Sequence, residues 1–170
     1  IKAERKTSVK KTKVGAQELF FDILKERAET GRIYIMNIDH CNDHSSFKDR
    51  VYMSNLCQEI TLPTDPIQHI DGKGEIALCI LSAINVGKIN YIDDLESLCD
   101  LAVRALDEII DHQKYPVKAA EVSTKARRSL GIGYIGLAHY LARMKVSYED
   151  KAAWKEVDEL TEAFQYYLLK

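Results

Sequence analysis

The sequence predicts an α/β fold, and predicts it as one segment of a larger domain. Short apolar and β-branched runs occupy the first half of the chain, whereas the second half changes to a helical period. One run, from Glu75 to Ile84, is apolar almost throughout, the pattern of a strand buried on both faces. At 170 residues, 46% of them apolar, the chain has the material for a real core.

The elements follow in order. Lys2, Arg5, Lys6, Lys10, Lys11 and Lys13 face only Glu4, so residues 1–13 read as a basic, solvated lead segment. Ala16 to Ala28 has Leu19, Phe20, Ile23 and Leu24 at helical spacing, and Gly31 suits the C-terminal cap. Arg32 to Ile38 alternates and is rich in Ile and Tyr, which predicts a strand, and Cys41 to Arg50 is polar and loop-like. Pro63, Pro66 and Asp71-Gly-Lys-Gly74 mark turns before the apolar run. From Asp93 a wide stripe of Leu95, Leu98, Cys99, Ala102, Val103, Leu106, Ile109 and Ile110 predicts a long helix, stopped by Tyr115-Pro116. Leu130 to Met144 is expected to form another. A third should start near Ser147, with Asp150 completing an approximate capping box and Trp154, Val157, Leu160, Phe164, Tyr167 and Leu168 as its buried face.

The chemistry concentrates in Ser54-Asn-Leu-Cys-Gln-Glu-Ile-Thr-Leu-Pro63. In an extended segment Asn55, Cys57 and Glu59 would point to one side, about 6.6 Å apart per step. Pro63, with Thr61 and Leu62 before it, favours that extended form. An amide, a thiol and a carboxylate facing one space would suit chemistry on a hydroxylated carbon. Taken alone, N-x-C-x-E is far more often the pattern of a surface strand with a buried Cys.

The flanking sequence decides between these. Gly31-Arg-Ile-Tyr-Ile-Met-Asn-Ile-Asp-His-Cys-Asn42, Gly74-Glu-Ile-Ala-Leu-Cys79, Leu81-Ser-Ala-Ile-Asn85, Leu101-Ala-Val-Arg-Ala-Leu-Asp107, Tyr115-Pro116, Arg127-Arg128, Leu130-Gly-Ile-Gly133 and Phe164-Gln-Tyr-Tyr-Leu-Leu-Lys170 occur in one order. With the Asn55 run, they resemble the ribonucleotide reductase large subunits, closest to the aerobic, two-subunit class I. The resemblance covers about Val14 to Lys170. It implies that 14–170 is the central part of a ten-stranded α/β barrel, incomplete at both ends, with the Asn55–Glu59 loop projecting inside.

The resemblance also implies roles. Cys57 would carry a transient thiyl radical and take the hydrogen from the ribose 3′ carbon. Glu59 would act as base on the 3′ hydroxyl, and Asn55, with Ser54 beside it, would bind the substrate hydroxyls. Cys79 would be half of a reducing dithiol whose partner lies outside this chain. The substrate would be a ribonucleoside diphosphate. A metal-containing small subunit would supply the radical, and a thioredoxin- or glutaredoxin-like protein would restore the dithiol. ATP and deoxynucleotide effectors would bind outside this segment, the full-length protein would form a homodimer, and no cofactor or metal would bind this chain directly.

These roles make physical sense. A thiol that gives up a hydrogen atom must be protonated at rest, and apolar burial raises a thiol above its usual pKa of about 8.5. Leu56, Ile60 and Leu62 are the expected lining, and Cys57 is expected near Cys79. An Asn amide both donates and accepts, so Asn55 can bridge a hydroxyl and a carboxylate.

Net charge −2 excludes an overall electrostatic footprint for nucleic acid. No apolar run predicts a signal peptide or membrane span, and four scattered cysteines suit a reducing compartment, by default the cytoplasm. The chain opens at Ile1 and stops at Lys170 inside a helical pattern, so it is expected to be a piece that does not catalyse alone. The rival readings are a non-catalytic split or degenerate fragment with an assembly role, and a zinc-binding or redox-switch module built on His40, Cys41 and His44. The second lacks the second close-spaced ligand pair that structural zinc draws on. Gly131-Ile-Gly-Tyr-Ile-Gly136 fits a dinucleotide-binding pattern, but Lys125-Ala-Arg-Arg-Ser129 before it is no buried strand, and glycines between close helices are expected instead. Cys99 is expected in the core, as is His139, and Tyr166 and Tyr167 are read as helix core and rim.

Overall fold

The computed structural model describes residues 10–69 and 74–170. Most of the basic lead segment and the centre of the Asp71–Gly74 turn lie outside the described residues. The chain divides into two compact units: the first contains residues up to Ser46 and Met53–Thr61, the second Phe47–Tyr52 and Leu62–Lys170.

In the first unit, α1 (Ala16–Thr30) ends at Gly31, whose φ of 65° places it in the left-handed region that glycine enters freely. The Gly31 N–H donates to the Arg27 carbonyl, closing the last turn. No residue of α1 is buried. Residues 32–37 are not a ladder strand, contrary to the alternating pattern. Alternation specifies a face for burial but does not supply a partner strand. The polar stretch after them is not all loop either, since α2 (Ile38–Asp43) is a short helix carrying His40 and Cys41.

The second unit holds every buried residue among those described. Strands β1 (Ile80–Asn85) and β2 (Leu130–Ile135) pair in parallel, with Ile80 opposite Leu130 and Asn85 opposite Ile135. The apolar run from Glu75 is thus ladder strand only from Ile80, and its exposure alternates where burial on both faces was expected. Leu130–Met144 is not one helix: it forms β2 and then α5 (Leu137–Arg143), with Gly136 at φ 81° making the break. Glycines in alternation remove helix propensity and leave Ile132 and Tyr134 to pack against the core.

A parallel pair needs a long crossover. Here it consists of α3 (Asp94–His112) and α4 (Lys118–Arg127), the second of which no apolar stripe announced. Leu95, Cys99, Leu106 and Ile110 are the buried face of α3, as predicted, although Ile109 at the margin of the stripe is exposed. The Tyr115 hydroxyl donates to the Ile110 carbonyl (2.7 Å) just beyond the helix end. Helix α6 (Lys151–Leu169) packs on α3 and buries Ala153, Leu160 and Phe164. Trp154, predicted on the buried face, is instead 62% exposed. Asp150, not Ser147, occupies the N-cap, and its carboxylate accepts from the Ser147 N–H (2.8 Å).

The core joins Ile84, Val86, Ile89, Leu95, Cys99, Tyr140, Leu141, Leu160 and Phe164. Tyr134 meets Phe164 edge-on at 5.5 Å. Arg143 on α5 donates to the Ile89 carbonyl (2.7 Å), tying that helix to the turn after β1. Cys99 is fully buried, as expected, whereas His139 lies on the exposed side of α5 and is no core histidine.

Candidate functional site

Asn55, Cys57 and Glu59 lie on a tight turn, not on an extended segment. The Gln58 N–H donates to the Asn55 carbonyl (3.1 Å), and the Asn55 N–H to the Ile60 carbonyl (3.3 Å). The physical reason lies in Asn55. Short amide side chains compete for their own backbone and so favour turns over strands. Its Oδ1 accepts from the Ile60 N–H (3.0 Å), and its Nδ2 donates to Glu59 Oε1 (2.6 Å). The Ser54 hydroxyl adds a contact to the Asn55 carbonyl (3.2 Å). Gln58 completes the reversal at φ 63°, a left-handed conformation uncommon outside glycine.

The turn therefore brings Asn55 and Glu59 together by a different route from the expected one. An extended chain would have separated them by two steps; the turn makes them hydrogen-bonded neighbours. Cys57 sits at the exposed tip between them. The apolar lining predicted for this thiol is not formed by Leu56, whose side chain is 89% exposed. A solvated turn tip offers an apolar side chain nothing to pack on. Beside the turn, Asn37, His40, Cys41, Gln58 and Thr61 help line a cavity of about 290 Å³ in the same unit. Cys41 is half-buried there. Among the described residues, no group of three or more His, Cys, Asp or Glu could hold a metal ion.

Cys79 belongs to the second unit, one residue before β1. It is a free, half-buried thiol, and burial pushes its pKa up from the ordinary value, which keeps it protonated at neutral pH. Its strand is anchored where the Ile80 N–H donates to the Ser129 carbonyl (3.2 Å).

The adjacent arginines have structural partners. Arg127 donates to Asp49 (2.9 Å) and to Glu75 (2.8 Å), fastening the start of the β1 run. Arg128, at φ 47°, donates to Asp107 (2.6 Å) and Asp111 (3.0 Å), locking α4 to α3 and holding both carboxyls below their usual range. Gln58 is a position that sequence reasoning passed over, and Gly131 was read only as a glycine between close helices. A left-handed Gln leaves no mark in a sequence, but a Gly-rich run that resists the helix reading does mark a strand needing close approach.

Comparison with known proteins gives a consistent result. A family model described as "Ribonucleotide reductase, barrel domain" matches residues 1–170. The chain is 55% identical to the ribonucleoside-diphosphate reductase subunit alpha of Haemophilus influenzae and 53% identical to that of Buchnera aphidicola subsp. Schizaphis graminum. It is 52% identical to the ribonucleoside-diphosphate reductase 1 subunit alpha of Escherichia coli (strain K12). These alignments cover 99–100% of this chain but only 23% of each relative, so the chain spans under a quarter of their length.

Proposed function

We infer the function from one premise: the chain belongs to the ribonucleotide reductase family, within its barrel domain. On that premise it is the central part of the large subunit of a class I ribonucleoside-diphosphate reductase, with β1 and β2 as two strands of a ten-stranded α/β barrel. Residues 14–170 belong to that catalytic domain. The reaction replaces the ribose 2′ hydroxyl by hydrogen and so makes deoxyribonucleotides.

The observation that carries this reading is the hydrogen bond of 2.6 Å between Asn55 and Glu59, with Cys57 at the exposed turn tip between them. Cys57, as a thiyl, takes the 3′ hydrogen. Glu59 accepts the 3′ hydroxyl proton, with its carboxylate held in place by the hydrogen bond from Asn55. Asn55 spends one amide hydrogen on Glu59 and keeps the other for a sugar hydroxyl. Ser54 lies beside it to complete the substrate contacts. The 2′ carbon–oxygen bond breaks and the hydroxyl leaves as water. Cys79 and a thiol outside this chain then give two electrons and two protons and become a disulfide. Returning the 3′ hydrogen regenerates the thiyl.

The radical comes from a metal-containing small subunit, and a thioredoxin- or glutaredoxin-like protein reduces the disulfide. The large subunit works as a homodimer, with ATP and deoxynucleotide effectors bound outside this segment. No helix among the described residues is long and apolar enough to cross a membrane, in keeping with a cytoplasmic enzyme.

The test is deoxynucleotide formation by the full-length parent chain with its small subunit, comparing wild type with Cys57→Ser. Turnover in the wild type and none in the variant, with effector binding retained, is the expected result. Turnover surviving in the variant would remove Cys57 from the chemistry. A wild type that binds effectors but never turns over would point to an assembly role.

A further inference from the structure

The glycine pattern of β2 has no place in the mechanism above, yet a side chain at one of its members would press on the Cys79 thiol. In the parallel register Leu81 lies opposite Gly131 and Ala83 opposite Gly133. Side chains alternate along a strand, so Leu81 and Ala83 share one face with Gly131 and Gly133, and Cys79, two residues before Leu81, points the same way. The other face, with Ile84, Ile132 and Tyr134, packs into the core. The Cys79 face is the open one, where Leu81 is 62% and Ile135 55% exposed.

A Cβ added at Gly131 would lie 3.1 Å from Cys79 Sγ and 2.5 Å from Leu81 Cδ2. The Gly131 backbone is not left-handed, so its torsion angles do not call for glycine; space does. Leu81 is exposed and its far end can swing aside. The half-buried thiol, 3.1 Å from the added carbon, must also give way by a few tenths of an ångström. Gly133, two residues on along the same face, would meet nothing within 4 Å. The two glycines are thus unequal: one clears room for a sulfur, the other borders open space.

We propose that Gly131 is a positioning residue for the Cys79 thiol, its missing side chain leaving the sulfur the place from which it forms the disulfide. This rests on reading Cys79 as half of the reducing dithiol. A methyl at Gly131 displaces the sulfur by a few tenths of an ångström, and thiol pairs tolerate little departure from their bonding geometry.

The experiment uses the full-length parent with its small subunit and a dithiol reductant. Gly131→Ala should slow deoxynucleotide formation about tenfold, since displacements well under 1 Å are costly in a preorganised site. It should also change the rate and pH profile of Cys79 alkylation, read by peptide mapping. Gly133→Ala should change neither by more than about twofold, as an addition into open space. A double-mutant cycle covers the case in which Gly131→Ala folds poorly: its loss of thermal stability should shrink in a Cys79→Ala background. Wild-type turnover with unaltered Cys79 alkylation in Gly131→Ala would overturn the proposal, as would an equal stability loss in both backgrounds. Cys79→Ser separates the two levels. Turnover surviving in Cys79→Ser would defeat the dithiol reading itself, whereas an inactive Cys79→Ser beside a normal Gly131→Ala would defeat only the positioning role.

Discussion

The turn at Asn55–Ile60 and the strand pair carrying Cys79 hold reactive groups in place by opposite means. Around the turn, every hydrogen bond that shapes it runs to Asn55 or its immediate neighbours, and no described residue of that unit is buried. Around Cys79, position depends on a ladder to β2 and on a core shared by β1, α3, α5 and α6. Local hydrogen bonds are short-range and specific but weak in net terms, about 0.5–1.5 kcal/mol each. Core burial is stronger but acts on whole elements. The amide and carboxylate proposed for catalysis are thus arranged by sequence neighbours, and the thiol proposed for the redox pair by the tertiary fold.

This contrast is open to attack from both sides. The largest effect is expected at Glu59: Glu59→Gln removes the proposed base while keeping an acceptor for Asn55, and should lower kcat of the full-length enzyme by about 10²–10⁴-fold. Its thermal unfolding should stay at the wild-type midpoint; a destabilised variant would mean that the turn is part of the scaffold after all. Next comes the core. Leu160 is fully buried in α6, and Leu160→Ala should cost about 2–5 kcal/mol of stability in chemical denaturation. Peptide-resolved hydrogen exchange should show the loss in β1, α3 and α6 and not at the Asn55 turn.

The smallest effect is electrostatic. Arg128 depresses the pKa of Asp107 and Asp111, so the stabilisation they provide is present above the unfolded carboxylate pKa of about 3.9. It is lost as pH falls through the lowered folded-state values. Exchange protection where α3 meets α4 should therefore weaken below about pH 4, and Arg128→Gln should flatten that dependence. An unchanged acid limb in that variant would show the network to be a solvated contact only.

How far the sequence could be read follows the same division. The stripe from Leu95 to Ile110 announced α3 because burial and helical period coincide there. Gly31 announced the end of α1, since only a left-handed cap requires it. Asn55, Cys57 and Glu59 stood out in the sequence as candidate residues, but their geometry did not, because an Asn can trade a strand ladder for hydrogen bonds to nearby backbone. Leu130–Met144 misled for a related reason. Its apolar residues fit either period, and only the partner strand, far upstream, decides the matter. Helix α4 went unseen because its buried residues, Ala119, Ala120, Ser123 and Thr124, are too small or polar to write a stripe.

The parallel ladder has a bearing on when the parts of this protein come into being. Ile80 and Leu130 stand fifty positions apart in the chain, and two helices must be laid down between them before the strands can meet. Contacts of such separation form late, after local turns and helices, because the closure entropy is spent before any pairing returns it. The clasp of Asn55 on Glu59 spans only four positions and needs no such wait. During synthesis or refolding, the Asn55 turn can close early, whereas the surroundings of Cys79 need the sheet to form first.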